Sequence, residues 1–211
     1  MTIIQAHQIS LSDVHRLQGW QRQYNSSFLL PLSLTDLTEF EQQELSQIRQ
    51  DFDNYLLAGR VSEGQVKLLT VAPLLRLAGF YRAPIKISLE EEIARIEIPD
   101  EDTTITGRFD ILAVNNQRQT SNNVLFWILV IECKNSQIAP NAGLPQLLSY
   151  AYKSLQYQEC VWGLTTNGNL YQFVYMMSGN PPVYQLMPFL NLMETQASIQ
   201  LLQVLKAIGK L

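Results

Sequence analysis

A chain of 211 residues with 46% apolar and 16% charged residues holds enough hydrophobic material for one substantial domain, and its formal charge of −4 excludes a surface that is basic overall. Two cysteines exclude a disulfide framework, and no apolar run reaches the ~20 residues of a membrane span. The two histidines, His7 and His15, lie near no Cys or acidic ligand pattern and read as surface residues, which argues against a histidine zinc site or a Ser-His triad. Residues 1–10 lack the basic-then-apolar layout of a secretory leader, so the expected setting is a soluble protein in the reducing cytoplasm.

Residues 1–34 contain Trp20, Tyr24, Phe28, Leu29 and Leu30 without a clean period and read as an extension packed on the domain. Thr35 or Asp36 is placed to cap a helix whose Leu37, Phe40, Leu45, Ile48, Phe52, Tyr55 and Leu56 follow helical spacing up to Gly59. The expected division is therefore residues 1–59 as extension and helix, and residues 60–211 as the main domain. Ser62 caps a second helix that runs to Gly79, with Pro73 expected to kink or split it. Glu63, in its first turn, has an ordinary role in favouring the helix dipole.

Strands are expected at residues 85–89, 93–98 and 105–114, with the acidic turn Asp100-Glu101-Asp102 between the last two. A polar loop, residues 115–123, returns the chain into residues 124–134. Eight apolar residues there run straight into Glu132, Cys133 and Lys134. Such a strand needs cover on both faces and belongs in the middle of a sheet. Side chains alternate, so Glu132 and Lys134 point the same way. Counting back from the loop's middle, near Gln119, places Asp110 opposite Glu132 on an antiparallel neighbour. A helix follows over residues 145–156, with Gln146, Tyr150 and Lys153 on one face. Residues 160–165 and 170–175 form a hairpin at Asn167-Gly168. A short strand at residues 183–187 and a closing helix at residues 192–208 complete the chain.

Two carboxylates on adjacent strands suit an oxygen-preferring divalent cation, Mg2+ or Mn2+, with the backbone carbonyl of Cys133 as a further ligand. Lys134 beside them is placed to orient or help deprotonate a water, or to stabilise charge on a phosphorane. The plainer reading of Asp110, Glu132 and Lys134 is an ion-pair cluster closing the end of a strand. The Cys133 side chain reads as a small buried group, since no His accompanies it as a base.

Gly107-Arg108-Phe109-Asp110, followed after 21 residues by Glu132-Cys133-Lys134, resembles the PD-(D/E)XK nuclease superfamily, and more narrowly the N-terminal nuclease domain of type I restriction enzyme R subunits. Gln146 with Tyr150 resembles the Gln-x-x-x-Tyr element of RecB-like nucleases, and residues 163–168 are similar to the strand and turn that follow it in R-subunit domains. The likeness spans about residues 60–175. It implies an α/β, restriction-endonuclease-like mixed central sheet flanked by helices, and a Mg2+- or Mn2+-dependent endonuclease cleaving DNA.

In that scheme Asp110, Glu132, Lys134 and Gln146 are catalytic, and Asp110, Glu132, Cys133 and the outer, water-mediated Glu63 hold metal. Tyr150, Lys153 and Arg108 contact DNA, Gln146 and Tyr150 doing so at phosphate or else positioning the lysine. The literal Pro99-Asp100 pair lies in an acidic turn without an apolar frame and is taken as a decoy. No Gly-Lys-Thr or Gly-Lys-Ser phosphate loop is present, so a helicase or specificity subunit would come from another chain. A homo-oligomer is the other expected assembly, and no membrane is involved. The alternative is a catalytically silent nuclease-fold module that binds or regulates within a larger DNA-processing assembly.

Overall fold

The computed structural model describes residues 2–24, 32–90, 92, 95–98, 103–120 and 124–211. In chain order these form β1 (Thr2–Gln5), α1 (Leu11–Gln18), β2 (Gln21–Arg22), α2 (Glu39–Ala58), α3 (Glu63–Val66), α4 (Ala72–Leu77) and β3 (Ile85–Leu89). There follow β4 (Ile96–Ile98), β5 (Thr103–Thr106), β6 (Ile111–Gln119), β7 (Leu125–Cys133), α5 (Leu144–Ser154) and β8 (Cys160–Thr166). The chain closes with β9 (Leu170–Met177), β10 (Val183–Leu186), β11 (Leu190–Asn191) and α6 (Thr195–Ile208).

The large sheet runs β2-β10-β9-β8-β7-β6-β3, with β11 added beside β9. Strand β7 is central, antiparallel to β6 and parallel to β8, which it reaches through α5. Its alternation divides two cores. Leu129, Ile131 and Cys133 join Phe52, Leu74 and Leu201 from the helices of one face. Val130 joins Val14 of α1 and Leu147 of α5 on the other. The expected α/β architecture, a mixed central sheet flanked by helices, is what the chain adopts.

Local chemistry accounts for the helix ends. Thr38, not Thr35 or Asp36, caps α2 through a reciprocal capping box with Glu41. The inward stripe of α2 is narrower than its sequence suggests: Leu45, Ile48 and Phe52 are buried, whereas Phe40 and Tyr55 are 61% and 45% exposed. Ser62 caps α3 as expected, in a capping box with Gln65. The break expected around Pro73 takes the form of a π turn at Lys67–Val71, lying between α3 and α4 just before a residue with no amide hydrogen to donate.

Two expectations change. The single strand at residues 105–114 is divided: β5 pairs with β1 and β4 in a separate three-stranded sheet, and β6 of the large sheet begins at Ile111. Between them the Phe109 ring is buried edge-on against Trp127 and Tyr150, so the chain turns inward there instead of continuing as one strand. His15 is also no free surface residue, since its Nε2 lies 3.0 Å from the Tyr184 hydroxyl. The N-terminal extension adds strands to both sheets, β1 parallel to β5 and β2 parallel to β10, and buries Val14, Leu17 and Trp20. Asp100 and its acidic turn lie outside the described residues, as do residues 93 and 94 of the strand expected at 93–98.

Candidate functional site

The β6–β7 ladder ends with Ile111 opposite Ile131, so Asp110 and Glu132 leave it at the same end. The Cys133 amide donates to Asp110 Oδ2 at 2.7 Å. Glu132 is 2% exposed, and its Oε1 accepts from Lys134 Nζ at 2.8 Å. Both side chains face α5, as their spacing requires. Lys134 Nζ also donates to Gln146 Oε1 at 3.2 Å, Gln146 Nε2 donates to the Tyr150 hydroxyl at 2.7 Å, and that hydroxyl donates to the Arg108 carbonyl at 2.7 Å. One continuous relay therefore ties Lys134 to the backbone two residues before Asp110. Tyr150 itself is buried.

Gly143, just before α5, makes this approach possible. A Cβ there would lie 2.7 Å from Glu132 Cγ and 3.5 Å from Lys134 Cε.

Lys67 joins the site with no sequence motif to mark it. Its Nζ lies 2.7 Å from Asp110 Oδ1, 3.2 Å from Glu90 Oε1 and 3.5 Å from Glu63 Oε1. Glu90 holds a left-handed backbone, with φ of 51°, and its amide donates to the Asp110 carbonyl. A non-glycine residue in that region is uncommon and concentrates at functional sites. The available signal was the i,i+4 pair Glu63 and Lys67 on one helical face. Nothing in sequence brings Glu90 to them.

Burial, and next the neighbouring Asp110 charge, push the Glu132 carboxyl up to about 8, against the pull of Lys134. Glu63 is raised for the same two reasons in the same order. Burial pulls the Lys67 ammonium down, but the Asp110, Glu90 and Glu63 carboxylates outweigh it and hold the group above its usual range. Burial likewise pushes the Cys133 thiol well up, which keeps it protonated and inert.

The donors fit a divalent cation in one respect. Glu132 Oε2 is buried and accepts no hydrogen bond from any described residue. A buried carboxylate oxygen left so is costly, and a cation would satisfy it. Among the described residues no three His, Cys, Asp or Glu side chains form a metal-holding group on their own. The set is thus two carboxylates that backbone and water would have to complete. Arg108 is well exposed and lines a polar cleft of about 420 Å³ with His7, Arg95 and Gln146. Lys153 lines a different groove, with Lys86, Trp127 and Tyr157.

No family model matches the chain, and no curated protein does. Among solved structures it is similar to a fragment assigned as an HsdR subunit of a type I restriction enzyme from Vibrio vulnificus YJ016. The identity is 21% and the TM-score 0.40, over 61% of this chain and 23% of that one. The match therefore spans about a quarter of that chain's length. None of the described helices is long and apolar enough to cross a membrane.

Proposed function

We propose that this chain is a Mg2+- or Mn2+-dependent deoxyribonuclease of the PD-(D/E)XK kind, hydrolysing DNA phosphodiester bonds. The observation that carries the reading is the unpartnered, buried Oε2 of Glu132 at the strand end it shares with Asp110, with Lys134 pinned at its side. Asp110, Glu132 and the Cys133 carbonyl would hold the ion. The bound ion would supply Lewis acidity toward the phosphodiester and its attacking water.

The protein's own groups then have distinct tasks. Lys134, held between Glu132 and Gln146, orients that water and offsets the charge that develops on phosphorus-bound oxygen. Gln146 keeps the lysine on station. Tyr150 is buried and its hydroxyl donates to the Arg108 carbonyl, so it supports Gln146 from behind and leaves DNA contact to cations that reach solvent. Arg108 and Lys153 are those cations. With a net charge of −4, their attraction is local and salt-sensitive, and tight binding would need a DNA-holding partner, such as a helicase or specificity subunit, or a second copy of the chain.

A second reading, a silent binding or regulatory module, is favoured by one observation: Lys67 already neutralises Asp110. The experiment that separates the two incubates purified protein with single-stranded, linear duplex and supercoiled DNA, with and without Mn2+. Metal-dependent cleavage that disappears in Asp110→Asn is the expected result. A folded wild type that neither binds Mn2+ nor cuts any of the three substrates would establish the module instead.

A further inference from the structure

Asp110 has two carboxylate oxygens and two different guards. Oδ2 is held by a backbone amide at the end of β7, which cannot leave without opening the sheet. Oδ1 is held by Lys67, at the end of a flexible four-carbon stem whose side chain is 20% exposed. A divalent ion that takes Asp110 must share Oδ1 with this ammonium or displace it, and two cations on one oxygen repel strongly in a site of low polarity. The displaced ammonium has somewhere to go. Glu90 and Glu63 already lie 3.2 and 3.5 Å away, and both are far more exposed than Asp110.

Resting on the nuclease-site reading above, we infer that Lys67 is a placeholder cation: it occupies Asp110 Oδ1 until a divalent ion arrives, and Glu63 and Glu90 then retain its ammonium. Lys67 is thus a positioning residue that keeps Asp110 aimed in the metal-free protein. Glu63 serves the lysine and not the metal. The helix geometry supports this assignment. Glu63 and Lys67 are one turn apart, where a glutamate preceding a lysine by four residues makes its favourable pair. Lys67 opens the π turn, which re-aims side chains relative to a regular helix.

A Mn2+ titration by calorimetry, arranged as a double-mutant cycle on the full chain, tests this directly. Lys67→Met should tighten Mn2+ binding tenfold or more, and Lys67→Gln should shift it in the same direction. Glu63→Gln should weaken binding several-fold in the otherwise wild-type chain, because Lys67 then leans wholly on Asp110 and Glu90. In the Lys67→Met background Glu63→Gln should change nothing. Equal or weaker Mn2+ binding in both Lys67 variants, with melting curves showing them folded, would overturn the proposal while leaving the nuclease site standing. So would an equal loss from Glu63→Gln in both backgrounds, which would make Glu63 a metal ligand. No binding in any folded variant would remove the nuclease-site reading and this proposal with it.

Discussion

The amide of Cys133 donates a 2.7 Å hydrogen bond to the Asp110 carboxylate across the end of two neighbouring strands. Because Cys133 stands between Glu132 and Lys134, the same backbone segment that presents a carboxylate and an amine also fixes the aspartate beside them. The site's three charges are therefore placed by one strand end, and each can be removed separately.

Asp110→Asn should keep the fold, since an amide oxygen still accepts from Cys133. It should lose Mn2+ binding in calorimetry and cleavage in a nicking assay. Losing its charged partner from Lys67 should cost about 1–3 kcal/mol in denaturant melts. Asp100→Asn should leave metal binding, cleavage and melting unchanged. The reverse pattern would assign the site to the wrong aspartate.

Lys134→Ala should abolish cleavage while Mn2+ binding survives or tightens, because a competing charge has gone. Stranding the buried Glu132 carboxylate would ordinarily cost on the order of 3–5 kcal/mol. Glu132 already holds its proton up to about pH 8, so below that pH it can stay neutral and the loss should be smaller. A full-sized loss beside an inactive wild type would mark Lys134 as a structural counter-ion. Gln146→Ala should slow cleavage without eliminating it.

Stability should fall with rising pH on account of Glu132. Its carboxyl titrates at 4.5 when exposed and at about 8 in the fold, so between those values the folded state holds a proton that the unfolded state has released. The slope of stability against pH is then negative, at most ~1.4 kcal/mol per pH unit from this group. Glu132→Gln should flatten that interval and melt higher than wild type near pH 8 in metal-free buffer. A wild type whose metal-free stability is flat from pH 5 to 8 would contradict the raised carboxyl.

Gly143→Ala should separate site geometry from fold. The added methyl meets the Glu132 side chain, which is buried and has no free end to yield. A stability loss of about 1–3 kcal/mol is expected in melts. Cleavage should fall by a larger factor than that loss explains, as Glu132 is pushed out of line. Unchanged activity would show that Glu132 has room to move.

Much of this was legible in the chain because it depends on patterns a strand or helix imposes locally. The apolar run before Glu132 required a central strand, strand alternation set Glu132 and Lys134 on one face, and the polar loop made the neighbouring strand antiparallel. Helical spacing put Gln146 and Tyr150 together, and Asn167-Gly168 marked the hairpin, where φ is +88° at the glycine. What remained hidden depends on contacts between elements distant in sequence. The division of residues 105–114 between two sheets follows from the burial of Phe109 among Trp127 and Tyr150. Gly143 has no local signature, since its need for a bare α-carbon arises only where Glu132 packs against it. Lys67 reads in sequence as one more helix-surface lysine paired to Glu63. Only the docking of its helix beside β3 and β6 sets Glu90 and Asp110 around it, because long-range electrostatics are decided by which backbones pack together.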